Sequence, residues 1–206
     1  MGASSSPSVL ERPLALARTL SRVGVWVGGA LTLASVALIT CEVLARRFFG
    51  VTLGGADELS GYAFAISVTW ALAFTALERA NVRIDVLYQY LPVRLSAVLD
   101  WIALVALGVF AVYLSYYAGQ VALTSWQMQS AANTPLGTPL WIPQTLWFLG
   151  LAWFVVVLAL MLLRASTALV TGDMAAFKAL AGVKSSVEEA EEGAAEGQRL
   201  VHGEQA

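Results

Sequence analysis

Between Asp100 and Arg164 this chain runs for 63 residues without one charged side chain. No water-soluble domain tolerates such a gap, because a folded chain needs charge on the part of its surface that faces solvent. Two shorter gaps precede it: Val23 to Cys41 and Leu59 to Leu77, each of 19 uncharged residues. A helix needs roughly 20 apolar residues to cross a hydrocarbon core about 30 Å thick. Each short gap therefore predicts one transmembrane helix. The long gap holds two helices and a connector. Its middle, Ser125 to Pro143, is polar and carries Pro135, Gly137, Pro139 and Pro143, so it reads as an uncharged external loop. The expected fold is all-α, a membrane protein of four transmembrane helices over about 23–45, 59–77, 95–123 and 143–164.

Composition narrows the function. The chain is 58% hydrophobic and only 13% charged, where ordinary globular chains carry about 25% charged residues. Twelve Lys and Arg scattered along 206 residues build no basic patch, so no nucleic-acid partner is expected. A single cysteine, Cys41, excludes an internal disulfide and a multi-cysteine metal site. The single histidine, His202, lies near the C-terminus, so the spans carry no imidazole for haem or metal. Serines occur in the spans, but no histidine or lysine is there to activate one. No catalytic, cofactor-binding or metal site is expected, and no cofactor. Nor is there a midplane carboxylate between broken helices, the sign of a self-sufficient coupled transporter. This chemistry points to a membrane protein that works through a partner.

Arginine placement sets orientation, since short flanks rich in Lys and Arg stay cytoplasmic. Arg12, Arg18, Arg22, Arg79, Arg83, Arg94 and Arg164 fall on one side; Arg46 and Arg47 alone fall on the other. Both termini are thus expected in the cytoplasm. Trp126, Trp141 and Trp147 cluster at the outer end, as an aromatic belt would, with Trp26 and Trp101 toward the inner end. A cleaved secretory signal fits poorly, because its apolar core is about 7–15 residues and this first run is longer. Three regions result: a cytoplasmic segment 1–22, a membrane domain 23–172, and a tail 173–206. The tail holds seven acidic and three basic residues with few large apolar ones, and is expected to be solvated and disordered at its end.

Charges beside the spans are the remaining candidates, because isolated charge at a membrane is costly. Glu42 precedes Arg46 by one helical turn, the favourable order for an ion pair. Two readings stand: an interfacial pair that ends the span beside Arg46 and Arg47, or a docking point for a neighbouring membrane protein. Asp57 and Glu58 open the second span, where negative charge complements the exposed amides of a helix N-terminus. The second connector, Glu78 to Asp85, interleaves charges with Val82 and Ile84 and predicts an amphipathic segment lying in the inner interface, leading to Pro92 at the third helix. Asp100 lies near Arg94 on that helix, where pairing is the simple expectation.

Taken in order, several of these stretches look familiar. Glu42-Val43-Leu44-Ala45-Arg46-Arg47-Phe48-Phe49-Gly50 and then Gly55-Ala56-Asp57-Glu58-Leu59-Ser60 resemble the opening of the small permease (Q, DctQ-type) subunit of TRAP transporters, the tripartite ATP-independent periplasmic systems. Ala76-Leu77-Glu78-Arg79-Ala80-Asn81-Val82-Arg83-Ile84-Asp85, Leu91-Pro92 and Leu140-Trp141-Ile142-Pro143 continue the likeness over about residues 20–165. One departure is plain: Asn81 stands where that family usually has histidine, while Asp85 matches. An amide there can still donate and accept hydrogen bonds, but it does not titrate.

The resemblance implies a scaffold subunit in a bacterial inner membrane. It would pack beside a large permease subunit that carries the substrate and ion sites, in a system usually driven by sodium. An extracytoplasmic solute-binding protein would deliver a small organic acid, and membrane lipid would surround the rest. Glu42, Arg46, Arg47 and Glu58 would then shape outer-side partner contacts, and Asn81, Arg83 and Asp85 would fix the inner connector. The residues alone leave two rivals: a stand-alone small four-helix transporter, and a structural membrane protein unrelated to transport.

Overall fold

A computed structural model describes residues 11–52, 54–78 and 92–172, with single positions 194 and 197. Four helices fill the described stretches: α1 (Glu11–Phe49), α2 (Ala56–Leu77), α3 (Val93–Gln127) and α4 (Trp141–Thr171). All four are long and apolar enough to cross a membrane. The fold is therefore the all-α, four-span architecture that the charge gaps predict. The connector 79–91, where the amphipathic interfacial segment is expected, lies outside the described residues, as does nearly all of the tail.

The helices outrun their uncharged runs. α1 has 39 residues and α3 has 35, so at about 1.5 Å per residue both exceed 50 Å in length. α1 begins 11 positions before Arg22 closes its apolar run, and these extra turns carry Arg12, Arg18 and Arg22. One end of the bundle holds the connectors 50–55 and 128–140, here termed the loop end. The other holds the start of α1 and the finish of α4, the terminal end.

Packing follows small residues. Along α1 the buried positions Leu14, Ala17, Ser21, Gly24 and Gly28 recur at spacings of three and four, with Glu42 two heptads further on. That is the 3.5-residue period of a left-handed helix pair. In lipid the hydrophobic effect gives no drive for apolar faces to find one another, so close backbone approach and interhelical hydrogen bonds do that work. A Cβ on Gly28 would sit 3.2 Å from Ser67 Cα, and the Ser67 hydroxyl donates to the Gly28 carbonyl at 2.8 Å. α2 then meets α4 where Gly150 faces Thr69 and Trp70. Gly119 of α3 faces the Phe148 ring of α4.

These contacts order the helices as a row, α1–α2–α4–α3, with a lesser contact between α1 and α4. Its buried core centres on Ala73, Leu104, Phe154, Val157, Leu158 and Met161. Outward faces stay apolar and open, and only 11% of the spanning window of α1 is buried.

Three indoles fasten the row. An indole N–H in a membrane interior needs an acceptor, because lipid offers none. Trp70 donates to the Leu146 carbonyl at 3.1 Å, linking α2 to α4. Trp101 donates to Ser166 Oγ at 2.9 Å, linking α3 to α4. Trp153 donates to Ser21 Oγ at 3.1 Å, linking α4 to α1. Every helix of the row is thus tied to another by at least one side-chain hydrogen bond.

Candidate functional site

Of the charged groups singled out in the sequence, Glu42, Arg46, Arg47, Asp57 and Glu58 lie at the loop end. Glu42 and Arg46 form the expected pair, Arg46 Nη2 lying 2.9 Å from Glu42 Oε1. The two members differ sharply in surroundings: Glu42 is 4% exposed, whereas the Arg46 side chain is 58% exposed. Glu42 is buried because it continues the stripe along which α1 packs. Arg46 and Arg47 project outward in the last turn of α1, beside the exposed rings of Phe48 and Phe49. Cations there also complement the partial negative charge of a helix C-terminus.

Glycine makes the turn into α2. Gly54 and Gly55 have φ of +65° and +96°, backbone that L side chains rarely adopt. Gly55 is also the N-cap of α2, and its bare Cα leaves the space that the Leu136 side chain fills. Asp57 and Glu58 follow in the first turn, as expected for acidic residues at a helix N-terminus.

Glu58 does more than complement the helix end. Tyr62 OH donates to its Oε1 at 2.9 Å, and the Thr134 hydroxyl donates to Oε2. Thr138 lies beside the same carboxylate. The α3–α4 loop is therefore folded down onto the start of α2. Inside that loop, the Ala132 amide donates to Thr138 O at 2.9 Å and the Leu140 amide to Ser130 O at 3.0 Å, around an isolated bridge between Ala131 and Pro139. Trp126 and Trp141 close its base edge to face, with ring centroids 4.6 Å apart.

The structure thus gathers Glu42, Arg46, Arg47 and Glu58 at one end. Arg46 and Arg47 are outward-facing, whereas the Glu58 carboxylate is occupied by the chain's own hydroxyls. Asn81, Arg83 and Asp85 lie outside the described residues. Asp100 is 2% exposed in the second turn of α3, and the Arg94 side chain expected beside it is outside the described residues. Thr134, Thr138 and Tyr62 were not signalled by charge or motif. The only sequence hint was a hydroxyl-rich loop able to fold back onto an acid.

Other chemistry has little to work with. Among the described residues no group of three or more His, Cys, Asp or Glu is placed to hold a metal ion. A shallow groove of about 380 Å³ between α3 and α4 is lined by Val112, Ser115, Tyr116, Gly119, Phe148 and Val155, and is mainly apolar.

Neither the curated proteins nor the solved structures contain a match to this chain. Residues 35–168, which include all of α2 and α3, most of α4 and the last 15 residues of α1, match the family described as tripartite ATP-independent periplasmic transporters, DctQ component. That span takes in Glu42, Arg46, Glu58, the folded-down loop and the indole ties of α4 to α2 and α3. The chain belongs to the DctQ family, and is a small, multi-pass membrane subunit of a TRAP transporter that functions with the other components of that system.

Proposed function

We propose that this subunit is the fixed brace on which the large permease subunit is assembled, in sodium-driven uptake of a small organic acid handed over by an extracytoplasmic solute-binding protein. One observation carries the reading. Six polar side chains of the described spans, Ser21, Ser67, Trp70, Trp101, Trp153 and Ser166, tie helix to helix. A carrier must expose polar groups to its cargo; a brace must hide them in its own joints. The seven-to-two arginine bias supports a terminal end in the cytoplasm of a bacterial inner membrane, with the loop end facing the binding protein. Arg46 and Arg47 are then the outward contacts, Glu42 positions Arg46, and Glu58 sets the shape of the loop. Asn81, Arg83 and Asp85 of the connector fix the opposite end.

Uptake assays separate this reading from a stand-alone carrier. Cells expressing this chain alone are expected to show no uptake above background, and uptake is expected once the large permease and the binding protein are supplied. Substrate accumulation by the chain alone would overturn the proposal.

The contact role has its own test. Glu42→Ala and Arg46→Ala should each lower recovery of the large subunit in mild detergent. The double variant should lose less than the two single losses combined, because the second change removes a pair that is already broken. Strict additivity would refute a joint role.

A further inference from the structure

The four apolar bands do not lie at one height along the row. Close contacts fix the relative levels of the helices. Gly28 and Gly24 of α1 face Ser67 and Trp70 of α2, and Thr69 of α2 faces Gly150 of α4. Three contacts set α3 against α4: Gly119 with Phe148, Gly108 with Leu162, and Trp101 with Ser166. Positions 26, 69, 150 and 118 therefore share a level across α1, α2, α4 and α3. The bond from Trp153 to Ser21 joins α4 to α1 within a turn of the same register.

From that level the distance to the first charge, or on α4 and α3 toward the loop end to the tryptophans at the base of the loop, follows from about 1.5 Å of rise per residue. Toward the loop end it is ~24 Å to Glu42, ~16 Å to Glu58, ~14 Å to Trp141 and ~12 Å to Trp126 on α1, α2, α4 and α3. Toward the terminal end it is ~6 Å to Arg22, ~14 Å to Glu78, ~21 Å to Arg164 and ~27 Å to Asp100. Both series change in one direction across the row. The band centre falls from ~9 Å above the shared level on α1 to ~8 Å below it on α3, a drop of about 17 Å. Three interhelix spacings of about 9 Å make the row roughly 27 Å wide.

We infer that the bundle crosses the bilayer leaning by about 30° within the plane of its row, with α1 displaced toward the terminal end and α3 toward the loop end until the bands come level. The lean is within the range of transmembrane helices, about 0–40°. It also brings the bands to about 26–34 Å along the membrane normal, close to the ~30 Å hydrocarbon core. Upright, the row would hold Arg22 of α1 at a depth where α3 is still far inside its uncharged run. Lipid would then have to step by half its thickness from one side of the protein to the other.

Spin-label depth in the full chain tests the lean. With Cys41→Ala as background, single cysteines replace Val27, Leu33, Tyr113 and Tyr117, all outward-facing, so the contacts between helices are left in place. The variants are reconstituted in phosphatidylcholine–phosphatidylglycerol vesicles, and depth is read from oxygen against nickel-chelate accessibility. Leu33 and Tyr113 are expected to be the two deepest sites, at equal depth. Val27 and Tyr117 should each lie about 6 Å nearer opposite surfaces. Any other order overturns the inference; an upright row makes Val27 and Tyr117 the deepest pair.

Discussion

Replacing Gly150 by leucine is expected to part α2 from α4. A Cβ at this position meets Thr69 Oγ1 at 2.7 Å, Trp70 Cδ1 at 2.9 Å and Thr69 Cβ at 3.0 Å, before any longer side chain is added. Overpacking a tight contact costs about 1–3 kcal/mol per event, and leucine adds three more carbons beyond the Cβ. The same movement breaks the hydrogen bond from Trp70 to the Leu146 carbonyl, four residues up α4. Unfolding in detergent should show a large loss of stability, and a cysteine pair across the α2–α4 contact should cross-link poorly. Gly150→Ala is expected to cost less, because the Thr69 hydroxyl can give way. Thr69→Ala in the Gly150→Ala background should restore part of the loss, whereas no recovery would place the strain elsewhere.

The second large effect is expected at Trp153. Its indole reaches from α4 to Ser21, a side chain only 1% exposed, and is the side-chain hydrogen bond that ties α1 to α4. Trp153→Ala removes both the ring and the donor. Large-to-small changes of this kind cost about 3–5 kcal/mol in protein cores, and a partly buried ring falls at the lower end. Trp153→Phe keeps most of the packing and drops only the N–H, so about 0.6 kcal/mol is expected, the average for hydrogen bonds between membrane helices. Denaturant titration of both variants measures the two contributions. Ser21→Ala should be nearly neutral in the Trp153→Phe background and costly in the native chain. Equal costs in both backgrounds would show that the indole does not act through Ser21.

The span count was legible because charge is the one property that a bilayer does not forgive. The gaps at 23–41, 59–77 and 101–163 could be read without knowing any contact. The Glu42–Arg46 pair was legible for a different reason: both partners lie on one helix, one turn apart. The row order was not legible. A soluble helix advertises its buried face by contrast with a polar one, but both faces of α1 are apolar, and the stripe that packs is marked only by small residues such as Ala17, Gly24 and Gly28. The role of Glu58 was half legible. Its place at a helix N-terminus follows from sequence, whereas its bond to Thr134 spans 76 positions and depends on how α4 sits against α2. The indoles at 70 and 153 carried no positional signal, since the acceptor each requires is supplied by a neighbouring helix.

The fastening of the α3–α4 loop to Glu58 has an entropic consequence. A surface loop that wanders must be frozen when something docks on it, and each rotamer-rich side chain so fixed costs about 0.5–1.5 kcal/mol of binding free energy. Here the freezing is done during folding, by the hydroxyls of Tyr62 and Thr134 and by the close seat of Leu136 against Gly55. A protein arriving at this end meets a contour that already has one shape. Its residence time is then set by the fit of the two surfaces, with little lost to rearrangement on this side of the encounter.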